Sequence, residues 1–203
     1  MRDDPALLWR RATTFAELCE LGARFVEGRL SLFPGWMAEA LDEESDALVP
    51  ALAALNRGGL LTLASQPGRA PYRGHDGARW AQRAFVAAFA SEDAARALAP
   101  LARRGLEVAV FGAEERGGER VPVGLRGDTP YLFAGYGAGP DELGIFAEFL
   151  GAAALDGLRR ARYLTVVDPL WEPRDLLWRE ARRALAAGYE EGRAAPNTPR
   201  DAP

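Results

Sequence analysis

A short apolar run between two different breaks constrains the fold of this chain more than any other feature. A helical pattern ends at the pair Gly58–Gly59, since glycine tolerates the left-handed conformation that closes a helix. The run Leu60–Ala64 that follows is long enough for one buried strand. Ser65–Gly68, with the sequence Ser-Gln-Pro-Gly, then predicts a tight turn. Because α/β proteins place ligands at polar loops after buried strands, this turn is the first candidate for a site.

The remaining segments predict one α/β domain. The segment Ala78–Ala90 predicts a helix, because its larger apolar side chains recur at helical spacing. The segment Arg69–Gly77 before it, rich in proline and glycine, predicts a loop. We expect a single domain over residues 1–189, with a mixed sheet of four or five strands flanked by helices, and a disordered tail over residues 190–203. Further strands are predicted at Leu106–Phe111, Val121–Leu125, Tyr131–Tyr136 and Tyr163–Val167.

Local signals mark the ends of several predicted helices. Thr14 and Glu17 have the spacing of a capping box, in which each side chain bonds the backbone of the other. Ser91 caps a helix predicted over Ala94–Arg104, and Gly105 ends it. These signals place helices both before and after the predicted central strand.

Composition limits the chemistry that the chain can perform. All 25 basic residues are arginine, and with 29 acidic residues the formal net charge is -4. The lack of lysine excludes Schiff-base and P-loop lysines. The mild acidity disfavours a dedicated nucleic-acid binder, although it leaves room for a local basic patch. No apolar run approaches the ~18 residues of a membrane span, and the N-terminus lacks the apolar core of a signal peptide, so we expect no membrane association. The single cysteine, which cannot form an intrachain disulfide, predicts a cytoplasmic protein.

Single copies of cysteine and histidine remove further classes of site. Cys19 and His75 stand alone in the sequence, so no intrachain disulfide or cysteine–histidine zinc site can form. Cys19 lies inside a predicted helix and is interpreted as a buried thiol without chemistry. We find no dinucleotide-binding glycine motif, P-loop, nucleophile elbow, zinc-protease or EF-hand pattern. The sequence leaves a carboxylate magnesium site open, but no spacing of acidic residues indicates one. We therefore expect neither a cofactor nor a metal ion.

Polar residues near the predicted strand ends form a candidate site. His75 or Asp168 could transfer a proton, and Ser65 could orient a ligand or act as a nucleophile. Arg83 could hold an anion through two parallel hydrogen bonds, assisted by Arg57. The other candidate ligand-binding residues are Asn56, Gln66, Trp80, Gln82 and Asp128.

Each candidate also has a structural interpretation, and the sequence leaves both open. The Ser65–Gly68 turn could satisfy only its own backbone, and His75 could be a solvated loop residue. Arg83 could form an ion pair with Asp76 or Asp128. Ser65, His75 and an aspartate have the residue types of a catalytic triad, but no strained elbow surrounds the serine. Trp80 could belong to the core.

Two hypotheses for function follow from these residues. The first is a cofactor-independent enzyme or ligand-binding domain that acts on a small polar or anionic molecule, with the candidate residues converging at one edge of the sheet. The second is a non-catalytic interaction protein, such as a regulator or antagonist, with Phe25, Phe33 and Trp36 as its apolar patch. A nucleic-acid interface along Arg179, Arg182 and Arg183 is a weaker alternative, and an oligomer is possible.

Several short motifs resemble those of an uncharacterised family of actinobacterial proteins, defined only as a domain of unknown function. The motifs are Leu-Asn-Arg-x-Gly at 55–59, Ser-Gln-Pro-Gly at 65–68, Gln-Arg-Ala at 82–84, Val-Asp-Pro-x-Trp at 167–171, and Trp9-x-x-Ala12 with Glu17-Leu18. Where the relatives have glycine after the tryptophan, this chain has Glu172-Pro173. The resemblance spans about the first ~175 residues. It implies a bacterial cytosolic protein from accessory or mobile gene content, and it implies no activity.

Overall fold

A long antiparallel hairpin organises the fold. The structure is a computed structural model that describes residues 4–36 and 40–194. The strands of the hairpin are β1 (Leu60–Arg73) and β2 (Arg79–Ala90), and they pair from Leu60 opposite Ala90 to Arg73 opposite Arg79. The tight turn predicted at Ser65–Gly68 is therefore wrong, as is the helix predicted over Ala78–Ala90. The predicted loop Arg69–Gly77 shortens to a turn at residues 74–78.

Burial on both faces explains why β2 has no strand-like pattern in its sequence. Every residue of the segment Ala84–Ala90 is buried, so apolar residues occupy successive positions instead of alternating. In β1, Pro67 lies in a strand at the edge of the sheet, where proline is tolerated. Gly68 has a φ of 79°, and a Cβ atom there would lie 2.8 Å from the backbone nitrogen of Ala84. The Pro-Gly pair therefore accommodates close strand packing.

The sheet forks on one edge of β2. The remaining strands are β3 (Glu107–Gly112), β4 (Arg116–Arg126), β5 (Thr129–Ala138) and β6 (Arg162–Val167). Strand β6 pairs with β2 at 85–90, and β4 pairs with β2 at 80–82. Strand β3 extends the sheet from β6, and β5 extends it from β4. We call β3 and β6 the inner arm, β4 and β5 the outer arm, and Arg83–Ala84 the fork.

The predicted α/β class, with helices flanking a single sheet, is confirmed. The sheet has six strands among the described residues, and the pairings between them are antiparallel, so the expectation of a mixed sheet is wrong. The expectation of four or five strands missed one because the segment of β2 was predicted as a helix. The four strands predicted after residue 105 are found where the sequence indicated, with boundaries that differ by up to five residues.

The helices pack mainly against strands β1, β2 and β6. The capping box of Thr14 and Glu17 is confirmed at the start of the second helix, and Ser91 caps the fourth. The helix predicted over Ala94–Arg104 is divided into an α-helix and a 3-10 helix, Ala99–Arg104, which begins beside Pro100. The α-helices are α1 (Pro5–Arg11), α2 (Phe15–Val26), α3 (Val49–Arg57), α4 (Glu92–Leu98), α5 (Pro140–Ala147), α6 (Ala152–Arg159) and α7 (Leu176–Ala194).

Helix α7 corrects the predicted start of the tail. The helix continues to Ala194, so residues 190–194 belong to it, and residues 195–203 of the predicted tail lie outside the described part of the chain. No helix within the described residues is both long and apolar enough to cross a membrane.

The core contains most of the apolar patch predicted near the N-terminus. Phe33 packs with its ring centroid 5.4 Å from that of Trp9 and 6.0 Å from that of Phe146. Phe25 and Phe33 are only 3% and 7% exposed. Of the three residues predicted as the patch, only Trp36 is exposed, because the aromatic rings of the other two fill the space between the helices and the sheet.

Candidate functional site

Gln66 bridges the fork. Its side-chain amide is buried and donates two hydrogen bonds, of 2.7 Å to the carbonyl oxygen of Arg83 and 2.8 Å to that of Val123. These bonds connect β1 to β2 and β4 at the point where the outer arm leaves β2. Both amide hydrogens are used in this way, so Gln66 fixes the position of the outer arm.

Arg83 holds the other side of the fork. Its Nη1 donates a 3.0 Å hydrogen bond to the carbonyl oxygen of Pro122, and its guanidinium lies 4.5 Å from the ring centroid of Trp171. Its Nε is buried and has no partner among the described residues. The alternative left open for Arg83, an ion pair with Asp76 or Asp128, is not formed among the described residues. Asp76 pairs with Arg126 instead, at 2.9 Å.

Asp168 ends β6 beside the fork and is fully buried. Its backbone nitrogen donates to the carbonyl oxygen of Ala84 at 2.9 Å, and its carboxylate accepts two 2.5 Å bonds from Arg174. The hydrogen bonds to Asp168 raise the pKa of Arg174. The backbone nitrogen of Leu170 donates a further bond to the same carboxylate. This arrangement occupies the carboxylate with structural partners.

The structure brings together only part of the predicted site. Gln66, Gln82, Arg83 and Asp168 lie at the fork, and the Oε1 atom of Gln82 is buried without a partner among the described residues. His75 lies in the exposed turn of the β1–β2 hairpin. The first residue of β2 lies about 17 Å from the fork, at ~3.3 Å per residue, so His75 is remote from Asp168.

Other candidates lie away from the fork as well. Asp128 is exposed in the β4–β5 turn, and Trp80 donates a 3.0 Å bond to Asp76 near the tip of the long hairpin. Ser65 faces Val86 across the hairpin and lines a cavity of about 50 Å³, which has room for water only. The distance of His75 from both Ser65 and Asp168 argues against a catalytic triad.

Asn56 and Arg57 stabilise the packing of α3. The fully buried amide of Asn56 donates to the carbonyl oxygen of Leu52 and to the hydroxyl of Thr62, and it accepts from the Thr62 nitrogen. Arg57 binds Glu20 of α2 and Glu27, which caps the C-terminal end of that helix. The hydrogen bonds from Arg57, followed by that from Arg29, lower the pKa of Glu27 to about 2. These contacts join α2 to α3 and leave neither residue facing an open cleft.

A cleft between the two arms was missed in the sequence. It has a volume of about 240 Å³, and the side chain of Phe111 closes part of it against Gly118, where a Cβ atom would lie 2.6 Å from the ring. The hydroxyl Oγ1 of Thr165 is buried without a partner among the described residues. The lining residues that carry the argument below are Glu107, Phe111, Glu119, Val121, Thr165 and Val167.

Two sequence signals could have indicated this cleft. Thr165 is the one polar residue within the apolar run Tyr163–Val167, and the buried face of a strand favours such a residue only when its hydroxyl has a partner. The glycines of the outer arm provide the space, because Gly118 and Gly135 carry no side chains that would fill it.

The fork, the arms and the flanking helices define an α/β protein with a branched antiparallel sheet and a small interstrand cleft. The chain belongs to the family described as domain of unknown function DUF6919, which matches residues 4–188. That range includes the fork and the cleft. The expected membership of an uncharacterised domain family is thereby confirmed. No curated protein matches the sequence.

Proposed function

We propose that the domain binds a small polar molecule in the cleft between the inner and outer arms. The observation that carries this proposal is Thr165, a residue that is 1% exposed and lines the cleft, and whose buried hydroxyl has no partner among the described residues. A buried polar group without a partner costs about 1–3 kcal/mol. A ligand that hydrogen-bonds to Thr165 recovers that free energy.

The lining of the cleft favours one kind of ligand. Val121, Val167 and Phe111 provide apolar contact, whereas Glu107 and Glu119 contribute carboxylates. Two carboxylates repel an anion and attract an ammonium or a hydroxyl donor. The volume of about 240 Å³ lies below the range of ~300–1,000 Å³ typical of drug-sized ligands. We therefore favour a metabolite-sized hydroxyl or amino compound over the anionic ligand that the sequence also allowed.

The fork gives the cleft its shape under this proposal. Gln66 and Arg83 connect β1 and β2 to β4 through carbonyl oxygens, and they therefore set the separation of the outer arm from the inner arm. Arg83 acts as a positioning residue, and its role as an anion holder remains a prediction. The proton-transfer roles of His75 and Asp168 also remain predictions, and the proposal is restricted to binding.

A thermal-shift screen against a metabolite library tests the proposal. Ligand binding to the native state raises the melting temperature according to concentration and affinity. The informative variant is Thr165→Val, which keeps the side-chain shape and removes the hydroxyl. We expect hits on the native chain that Thr165→Val loses. The matched control is Thr129→Val in the exposed start of β5, which should keep them.

Other results of the screen contradict the proposal. If no compound shifts the melting temperature at saturating concentration, the cleft is not a binding site for small polar metabolites. If the hits survive in Thr165→Val but disappear in Arg83→Ala, the ligand site lies at the fork and an anion is the better candidate. Hits that survive in both variants place the binding site elsewhere in the molecule.

An interaction protein is the alternative function, and one surface supports it. Trp36 is 37% exposed and Ile145 is 40% exposed, and both line a groove of about 630 Å³ beside α5. Exposed apolar side chains along a groove are typical of docking surfaces. Under this alternative, Ile145→Ser abolishes capture of a partner from native lysate, while Thr165→Val leaves the capture unchanged.

We further propose that the protein is bacterial, of actinobacterial type, and cytoplasmic. All 25 basic residues are arginine, which is typical of proteins encoded by high-GC genomes and supports an actinobacterial origin. A single, buried cysteine supports a reducing compartment. Fractionation of the native host, followed by immunoblotting, tests the location directly.

A further inference from the structure

Charge is unevenly distributed along the chain. The long hairpin and the outer arm are basic, whereas the rest of the chain is acidic. Residues 60–90 and 116–138, which contain β1, β2, β4 and β5 with their turns, have seven arginines and three acidic residues. The rest of the chain has eighteen arginines and twenty-six acidic residues. The net charge of -4 therefore conceals a basic region on an acidic protein.

Aromatic rings in this basic region lie on one face of the sheet. Tyr72 and Trp80 are directly paired across the hairpin, so their side chains share a face. The ring of Trp80 packs edge-on against Tyr131, with centroids 5.1 Å apart. In β5, Leu132 packs against the core, so its neighbours Tyr131 and Phe133 lie on the opposite face. The rings thus extend across β1, β2 and β5.

Arginine guanidinium groups lie over these rings. Arg69 is 3.7 Å from the ring centroid of Tyr72, and Arg126 is 5.7 Å from that of Trp80. Arg120 is 4.4 Å from the ring centroid of Phe133 and 5.4 Å from that of Tyr136. We call this surface the aromatic–arginine face. Its defining residues are Arg69, Tyr72, Trp80, Arg120, Arg126 and Tyr131.

The arginines of this face are incompletely neutralised. Within the described residues, Arg69 and Arg120 have no carboxylate within 4.0 Å, whereas Arg126 pairs with Asp76. Tyr131 is 44% exposed. The helices pack mainly against β1, β2 and β6, and β4 and β5 contact mainly other strands. The face is therefore open to a partner that is both anionic and planar.

We propose that the aromatic–arginine face binds single-stranded nucleic acid. Unpaired arginines on a sheet supply phosphate contacts, and neighbouring aromatic rings supply surfaces on which bases stack. A guanidinium that leaves a ring for a phosphate exposes that ring to a base. Arginines for phosphate contact and rings for base stacking are interleaved on this face. An acidic peptide would need the arginines but not the rings. This inference is independent of the cleft, because it uses other residues.

Fluorescence anisotropy with labelled oligonucleotides of about 12 nucleotides tests the proposal. The probes are a single-stranded DNA, the same sequence as RNA, its duplex, and inorganic polyphosphate as a competitor. We expect the native chain to bind the single strands. The comparison of the DNA probe with the RNA probe identifies which nucleic acid is preferred. Affinity should fall as the salt concentration rises. Arg120→Gln should make the negative slope of log K against log salt shallower by about 0.7, because one phosphate contact is lost.

The ring variants separate stacking from charge. Tyr131→Ala should weaken binding about five-fold or more, and Tyr131→Phe should restore it, because stacking needs the ring and not the hydroxyl. Arg103→Gln removes the same charge from an exposed position outside the face and should leave the salt slope unchanged. Thr165→Val, which tests the cleft, should leave oligonucleotide affinity unchanged.

Three outcomes overturn the proposal. The first is no binding of either single strand at about 50 mM salt. The second is equal binding of duplex and single strand with no loss in Tyr131→Ala, which shows only nonspecific attraction of charge. The third is equal loss of affinity in Arg103→Gln and Arg120→Gln, which places the nucleic acid outside the face. Circular dichroism of each variant verifies that it is folded.

Discussion

Arg174 donates two hydrogen bonds of 2.5 Å, from Nε and Nη2, to the two carboxylate oxygens of Asp168. The carboxylate is fully buried, whereas the side chain of Arg174 is 32% exposed. Because the backbone of Asp168 also bonds Ala84, the pair fixes the end of β6 at the fork. A position that the sequence marked as a candidate for catalysis thus has a clear structural role.

Removal of Arg174 should destabilise the fold strongly. Arg174→Gln leaves a buried carboxylate without its cation, and we expect a loss of about 3 kcal/mol in the free energy of unfolding, the lower end for a broken buried pair. Urea denaturation measures the change. Arg116→Gln breaks the exposed pair with Asp141 and should cost about 1 kcal/mol or less. Equal losses in both variants would show that Asp168 is well solvated.

Gln66 should be sensitive to the chemistry of its amide. Gln66→Leu removes the donor from two carbonyl oxygens, and we expect a loss of about 2 kcal/mol. Gln66→Glu places a carboxylate against the same oxygens, so its folded-state pKa should rise. The stability of Gln66→Glu should therefore fall as pH rises from 4 towards 8, relative to the native chain. A flat difference across that pH range, measured by thermal denaturation, would contradict the two hydrogen bonds that Gln66 donates at the fork.

Gly68 should tolerate no side chain. Gly68→Ala combines a left-handed backbone with a Cβ atom 2.8 Å from the nitrogen of Ala84, and we expect a loss of about 3 kcal/mol. Gly77 also has a positive φ of 75°, but no atom lies within 4 Å of its Cβ position. Gly77→Ala should cost about 1 kcal/mol. The urea midpoint of Gly77→Ala reports backbone strain alone, and that of Gly68→Ala reports strain plus steric crowding. Equal midpoints would contradict the close approach of β1 to β2 at Gly68.

Cys19 should be unreactive in the native protein. The thiol is 2% exposed, and burial raises its pKa to about 12, so very little thiolate forms at pH 8. We expect the rate of labelling by a thiol reagent to follow the unfolded fraction as urea is added. Rapid labelling without urea would contradict the burial of Cys19 and the interpretation that it has no chemical role.

The acid stability of the α2–α3 contact should depend on Glu27. Its pKa is about 2 in the folded protein, below the ordinary value of 4.5, chiefly because of hydrogen bonds from Arg57. A lowered folded-state pKa gives stability that is complete above about pH 4.5 and is lost as pH falls towards 2. Arg57→Gln should flatten this acid limb in thermal denaturation. The control Arg103→Gln should retain it, and an unchanged limb in Arg57→Gln would refute the assignment.

The sequence predicted elements whose signals are local. The capping box at Thr14 and Glu17 and the strand at Tyr163–Val167 depend on neighbouring residues, and both are found. The segment of β2 was misread because its burial on both faces depends on distant strands and helices. Ser-Gln-Pro-Gly was misread because turn-forming residues also serve where two strands approach closely, as Gly68 does beside Ala84.

The candidate site was predicted in part for the same reason. Gln66, Arg83 and Asp168 do meet, because they follow or accompany buried strands. Their partners Val123, Pro122 and Arg174 come from distant segments that no local pattern identifies. The cleft at Thr165 and the aromatic–arginine face depend on how β4 and β5 lie relative to the other strands, which the sequence alone does not show.

The most direct test of the proposed binding cleft is methyl NMR of the protein during titration with a compound from the thermal-shift screen. The valine methyl groups of Val121 and Val167 line the cleft, whereas those of Val26 and Val49 lie in α2 and α3. We predict saturable shifts at Val121 and Val167 that Thr165→Val abolishes. Shifts confined to Val26 and Val49, or no shifts at saturating compound, would contradict binding in the cleft.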